Sequence, residues 1–321
     1  MSVKEALDRF STRGFGVFNH YMNPMQNGGW EVRNPSGKIT DWSTAVEEFD
    51  TEKLAFNLNE MGAGYYCITM MQSTKYMCAP NETYDRYCGT KPGEACCKRD
   101  LPADLYKSLS KYGIDLFLYY SADGPIWATD INPELVIGDG TQNLNTGMVN
   151  EEFVSKWSSV MQEWAERYGS RVKGWWIDRC YSEIGYNNEL LEYYHRAAKA
   201  GNPDSLVACN RTGTSKCAPG LSTEEFTCGE RLDFVNLPQT RFINGVQTHL
   251  LIPLGVHPGN GDRGHTWCMP GLKRSREELL DYIGRAKKIG IPISVDIAVY
   301  RDGSFDPEQQ EALSFVGRNL K

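Results

Sequence analysis

The sequence contains no apolar stretch long enough to span a membrane and no long basic run. The first absence removes a transmembrane helix, and with it a membrane partner, from consideration. The second goes with a net charge of −7, from 34 Lys and Arg against 41 Asp and Glu. Nucleic acid is therefore not an expected partner, because phosphate binding needs a concentrated positive face. Internal repeats, low-complexity tracts and an interdomain linker are also missing. The opening MSVKEALDRF reads as a helix rather than a signal peptide, leaving the cytoplasm, or export after removal of a leader, as the expected locations. Ten cysteines are present, four of them (Cys78, Cys88, Cys96 and Cys97) within one segment. None of their spacings matches the C-x-x-C of a zinc site. A local disulfide and reduced, partly buried thiols both fit.

What is present is organised around Arg171 to Tyr181, RVKGWWIDRCY. A short apolar run, Val172 to Ile177, suits a parallel strand buried on both faces. A single carboxylate, Asp178, arrives where the run stops. In an α/β barrel the C-terminal strand ends carry the active site, so a carboxylate there reads as catalytic; the structural alternative is a helix cap or a pair with Arg179. Trp175 and Trp176 offer an apolar wall or a sugar-stacking platform.

The same pattern recurs along the chain. Apolar strand-like runs fall at 14–21, 65–70, 114–120, 172–177, 205–210, 232–237, 248–254 and 292–299. Helix-like segments fall between most of them, at 1–13, 50–62, 100–112, 151–168, 189–200, 275–289 and 306–320. Eight short strands alternating with helices predict an α/β fold closed into a (β/α)8 TIM barrel. The expected domain is a single barrel over 1–321, with long loops at 22–48, 72–99, 121–150 and 255–274 gathered on the face that builds the site.

Several stretches together resemble the family 29 glycoside hydrolases, the α-L-fucosidases. FGVFNHY is similar to their F-G-I-F-x-H-W-G opening strand, and FDTEKLAFNLNEMGAGYYCIT to F-D-A-x-x-W-A-x-L-A-K-x-A-G-A-K-Y-x-V-L-T. KRDLPADLYKSLSKYGIDLFLYYS is similar to R-D-L-V-x-E-L-x-x-A-x-R-x-x-G-L-K-F-G-L-Y-Y-S. GWWIDRC falls where the family has x-L-W-F-D-G, and PISVDIAVYRDGSFDPEQQEAL resembles N-L-L-L-N-V-x-P-x-x-D-G-x-I-P-x-x-x-x-x-x-L. The resemblance implies retaining hydrolysis of an α-glycoside, with Asp178 as nucleophile and His20 as a sugar-binding histidine. It places Trp30 and Glu31 in a loop that carries another site Trp and Glu, and Trp267 beside the S-W-G-Y tryptophan. Tyr120 and Trp176, at strand ends, join the expected substrate-binding set.

One departure bears on specificity. The family's K-H-H-D-G-F, which contacts sugar hydroxyls, is replaced by Met71, Gln72, Ser73, Thr74, Lys75 and Tyr76. Both histidines are gone, and Gln72 is left as a hydroxyl partner. The family's usual C-terminal β-sandwich is not expected after the barrel.

Glycoside cleavage with retention needs two carboxyls about 5 Å apart, one ionised and attacking, the other protonated. In STEEFTCGER the T-E-E-F run resembles a T-P-E-Y motif of the family near its acid. This favours Glu225, with Glu230 next; Glu31 and Glu183 are further candidates. Asp296 ends the last strand, placed to orient a substrate hydroxyl or to pair with Arg301. His249, His257, His265 and Cys268 follow no common zinc spacing, so no metal or cofactor is expected. The expectation is a carbohydrate-binding, exo-acting retaining glycosidase; the alternative is a non-catalytic sugar-binding barrel derived from one. The sugar and the oligomeric state are not legible.

Overall fold

The computed structural model describes residues 2–28, 37–126, 128, 149–211, 217–232, 234, 236–256 and 266–320. In chain order these form α1 (Val3–Thr12), β1 (Phe15–Asn19), α2 (Asn23–Gln26), α3 (Trp42–Glu47), α4 (Thr51–Met61) and β2 (Tyr65–Thr69). Next come α5 (Glu82–Cys88), α6 (Leu101–Ser110), β3 (Asp115–Ser121), α7 (Glu151–Tyr168), β4 (Val172–Asp178), α8 (Asn188–Lys199) and β5 (Leu206–Cys209). The chain ends with β6 (Phe242–Ile243), β7 (Val246–Gln247), β8 (Leu250–Pro253), α9 (Arg276–Ile289), β9 (Ile293–Asp296) and α10 (Pro307–Asn319).

The helices start where short polar side chains accept from the first-turn amides. Asp50 accepts from Lys53 N, Asp100 from Ala103 N and Asn150 from Phe153 N. Ser275 and Glu278 cap each other reciprocally.

Seven strands form one parallel sheet in the order β5-β4-β3-β2-β1-β9-β8, curled into a half-barrel. Of the expected strand at 232–237, the described residues 232, 234, 236 and 237 lie in no strand. Phe234 instead stacks on Tyr282 of α9 at 4.7 Å, outside the sheet, and Asn236 has a positive φ. The gap between the edge strands is bridged by 224–231. Glu225 N donates to Val207 O of β5 at 2.9 Å, while Leu251 N of β8 donates to Gly229 O at 3.0 Å and accepts nothing in return from it. Arg231 N reaches Leu251 O at 2.8 Å, so the segment runs parallel to β8.

Inside the curl, Phe18, Tyr65, Cys67, Phe117, Tyr119, Trp176, Leu206, Ala208, Phe226, Cys228 and Leu251 form one buried cluster. Phe10 of α1 plugs the N-terminal end, stacked on Phe117 at 5.2 Å and edge-on to Tyr65 and Phe226. The larger core lies between the sheet and the helices. No two of the ten cysteines, all within the described residues, are joined in a disulfide. The four in the 72–99 segment are buried in the outer core.

Candidate active site

The parallel sheet brings the C-terminal strand ends together, and the side chains that continue the inward alternation past the apolar cluster are polar. Past Phe18 comes His20, past Tyr119 comes Ser121, past Trp176 comes Asp178 and past Ala208 comes Asn210. Along the bridging segment, Phe226 and Cys228 point inward, and a two-residue period then places Glu230 at the mouth.

Asp178 ends β4 with only 6% of its surface exposed. Its Oδ2 accepts from the Tyr119 hydroxyl at 2.6 Å and its Oδ1 from Asn210 Nδ2 at 2.8 Å. Burial pushes the Glu230 carboxyl up to about 8. The negative charge of Asp178 raises it further; a hydrogen bond from the Asn210 side chain and the charge of Arg179 oppose the rise. Asn210 thus holds Asp178 and favours the charged form of Glu230, which nonetheless keeps its proton near neutrality.

Around this pair, His20 Nδ1 lies 2.8 Å from Asp296 Oδ2, and the other Asp296 oxygen accepts from Cys268 N. An ionised carboxylate only accepts, so Nδ1 carries the hydrogen and Nε2 faces elsewhere. The Trp267 ring lies 6.5 Å from the His20 ring. Asp123, wholly buried after β3, accepts from the hydroxyls of Ser73 (2.8 Å) and Ser121 and faces Arg179 Nε at 3.8 Å. Burial raises the Asp123 carboxyl, against Arg179 and the two serines. For Arg179, burial works against the charge, and Asp123 and Asp178 more than compensate.

The structure therefore gathers Asp178, Glu230, His20, Asp296 and Trp267, and separates other residues expected with them. Glu225 points to the helix layer, paired with Lys199 Nζ at 2.7 Å, 3.4 Å from His195, and accepting from Val207 N. Its carboxylate is spent on joining α8 to β5. Tyr120 also faces outward, its hydroxyl donating to Trp157 O at 2.9 Å and its ring stacked on Trp157. Trp176 lies a layer below the mouth, buried and stacked on Tyr119 at 5.4 Å; its indole N–H has no acceptor among the described residues. Gln72 is half-buried beside Ser73.

Glu183 is exposed, and Arg301 pairs with Glu48 at 2.7 Å rather than with Asp296. His249 sits at the barrel floor, with Nδ1 2.9 Å from Thr227 O and Nε2 2.8 Å from Ser294 Oγ. Burial lowers its pKa to about 4. Trp30, Glu31, His257 and His265 lie outside the described residues. Sequence reasoning missed Tyr119, Asn210 and Asp123 as site residues and took Arg179 only as a cation beside Asp178; a two-residue count from Phe226 was the signal that favoured Glu230 over Glu225.

Comparison with known proteins bears on the family and the fold. The model of the family described as Alpha-L-fucosidase matches residues 3–244. Among solved structures, an endo-fucoidan hydrolase from glycoside hydrolase family 107 is similar with a TM-score of 0.70 at 11% identity, over 98% of this chain and 54% of that one. An α-L-fucosidase of family GH29 from Bacteroides thetaiotaomicron gives 0.62 at 19% identity, over 98% and 73%. The Thermotoga maritima α-fucosidase, in complex with a mechanism-based inhibitor, gives 0.64 at 18%, over 98% and 74%. The chain spans about half the length of the first and about three quarters of the two fucosidases. At these identities the likeness is one of fold. No curated protein matches significantly.

Proposed function

The chain belongs to the α-L-fucosidase family, and from that premise we propose that it is a retaining glycoside hydrolase acting on an α-L-fucoside or a sugar of related hydroxyl pattern. Asp178 is the nucleophile and Glu230 the acid/base. The observation that carries this reading is the pair itself. Asp178 is buried and Glu230 half-buried, and Glu230, facing the charge of Asp178, holds its proton up to about pH 8.

In the first step Asp178 attacks the anomeric carbon while Glu230 gives its proton to the departing oxygen. The Tyr119 and Asn210 donors hold the two Asp178 oxygens in place. Once Asp178 is esterified its negative charge is gone, and with it a main influence holding Glu230 protonated. Glu230, now ionised, is then suited to take a proton from the water that releases the sugar with retained configuration. A glutamate-to-glutamine variant of the related Bacteroides thetaiotaomicron fucosidase was used to trap a covalent intermediate, which accords with this scheme. His20, with Nδ1 held by Asp296, offers Nε2 to a sugar hydroxyl, and Trp267 walls the pocket.

The test is a panel of p-nitrophenyl glycosides, α-L-fucoside and α- and β-galactosides first, on the wild type and Asp178→Asn. Turnover of an α-glycoside, its loss in the variant, and partial recovery with azide support the reading. A wild type that binds fucose by calorimetry but hydrolyses none of the panel refutes it in favour of a non-catalytic sugar-binding barrel.

A further inference from the structure

Arg179, the residue after Asp178, has a φ of 61°. That left-handed backbone costs a non-glycine residue free energy and persists only where surroundings enforce it, typically at functional sites. In the family pattern x-L-W-F-D-G the same place is a glycine, for which this conformation is free of strain. Here an arginine keeps the glycine's backbone, and its side chain is held at the site. Nε is 3.8 Å from the buried Asp123 carboxylate, and the guanidinium carbon is 5.9 Å from the Tyr181 ring centroid.

That anchoring does not use the arginine's hydrogen-bonding capacity. A separation of 3.8 Å is an electrostatic contact, too long for a hydrogen bond. Asp123 already accepts from Ser73 and Ser121. Among the described residues the guanidinium donates to nothing, although it carries five N–H donors in a rigid fork. The side chain keeps 18% of its surface exposed, so an acceptor can approach. The charged groups acting on it are Asp123 and Asp178, with the protonated Glu230 also in reach, a set that disfavours an anionic ligand and leaves a neutral oxygen acceptor. Ser73, at one of the positions where the family has a histidine, is turned to Asp123 and so supports the arginine indirectly.

We propose that Arg179 is a specificity-determining residue. Its guanidinium donates to ring hydroxyls of the sugar bound over Asp178, moving hydroxyl recognition from the loop after β2, where the family's histidines sit, to the loop after β4. This rests on the glycosidase reading above.

The experiment measures affinities of methyl α-L-fucoside and its 2-, 3- and 4-deoxy analogues by calorimetry for the wild type, Arg179→Gly and Arg179→Met. Met keeps the bulk of the chain should the glycine variant fold poorly. In the wild type, removing the hydroxyl held by Arg179 weakens binding about tenfold or more, the range for a hydrogen bond to a charged group. In either variant that penalty collapses to within about twofold, while penalties at the other positions persist. Equal deoxy penalties in wild type and variants at every position overturn the role of Arg179 alone. A wild type that binds none of the fucosides overturns the glycosidase reading and this one together.

Discussion

Replacing Glu230 by Gln tests the site through both stability and rate. The Glu230 carboxyl titrates near 8 in the folded protein, against 4.5 for the free side chain. Between these values the native state holds a proton that the unfolded chain has lost. Wild-type stability therefore falls as pH rises, by about 1.4 kcal/mol per pH unit from this group. The contribution is fully present below pH 4.5 and gone above about pH 8. Gln resembles the protonated acid in shape and has no such dependence. Urea denaturation from pH 5 to pH 9 should show the variant gaining about 4 kcal/mol on the wild type between pH 5 and 8, then no more. Hydrolysis of a fucosyl disaccharide, whose leaving alcohol needs a proton, should fall by about 10²- to 10⁴-fold. A nitrophenyl fucoside should lose less in its first step, and azide should return an α-fucosyl azide. Parallel stability curves for variant and wild type, or undiminished disaccharide hydrolysis, would refute the assignment of Glu230.

Four further outcomes follow from the same geometry. The wild-type kcat/KM should decline above about pH 8, as Glu230 loses its proton; a flat alkaline limb in a pH–rate profile contradicts this. Tyr119→Phe removes the 2.6 Å donor to Asp178 and should lower kcat by about tenfold and stability by about 1–3 kcal/mol, read by kinetics and denaturation. His249, lowered from 6.5 to about 4 by burial, must stay neutral in the fold. Its contribution is full above pH 6.5, and about 3 kcal/mol is lost as pH falls to 4; His249→Gln should flatten that acid slope in a denaturation series. Phe10→Ala opens the barrel floor and should cost about 3–5 kcal/mol, measured by thermal unfolding, with KM little changed.

The strands of the parallel sheet were legible because each is a short apolar run ending at a polar loop, and Asp178 stood out, with Asp296, as an acid at such an end. The faces of those strands were not. β3 and β4 are buried on both sides, so Tyr119 and Tyr120, or Trp175 and Trp176, show no polar–apolar alternation to tell them apart. A one-residue choice then moves a side chain from the mouth to the helix layer, which is how Tyr120 was expected in place of Tyr119. The same slip separates Glu225 from Glu230. F-T-C-G-E is a period-two strand pattern, but it is short, contains glycine and lies beside the more apolar L-D-F-V-N-L, whose Phe234 stacks on Tyr282 of α9 instead. Asn210 and Asp123 were obscure for another reason. Their roles come from partners distant in sequence, Asp178 and Arg179, which only the curled sheet brings near.

The most direct measurement is to incubate the wild type with a 2-deoxy-2-fluoro-fucosyl fluoride, digest it, and locate the added sugar mass by tandem mass spectrometry. The expected result is one stoichiometric label, carried on Asp178 and absent in Asp178→Asn. A label on another carboxylate, or catalytic turnover that releases the sugar with inverted configuration and leaves no label, would contradict Asp178 as the nucleophile of a retaining enzyme.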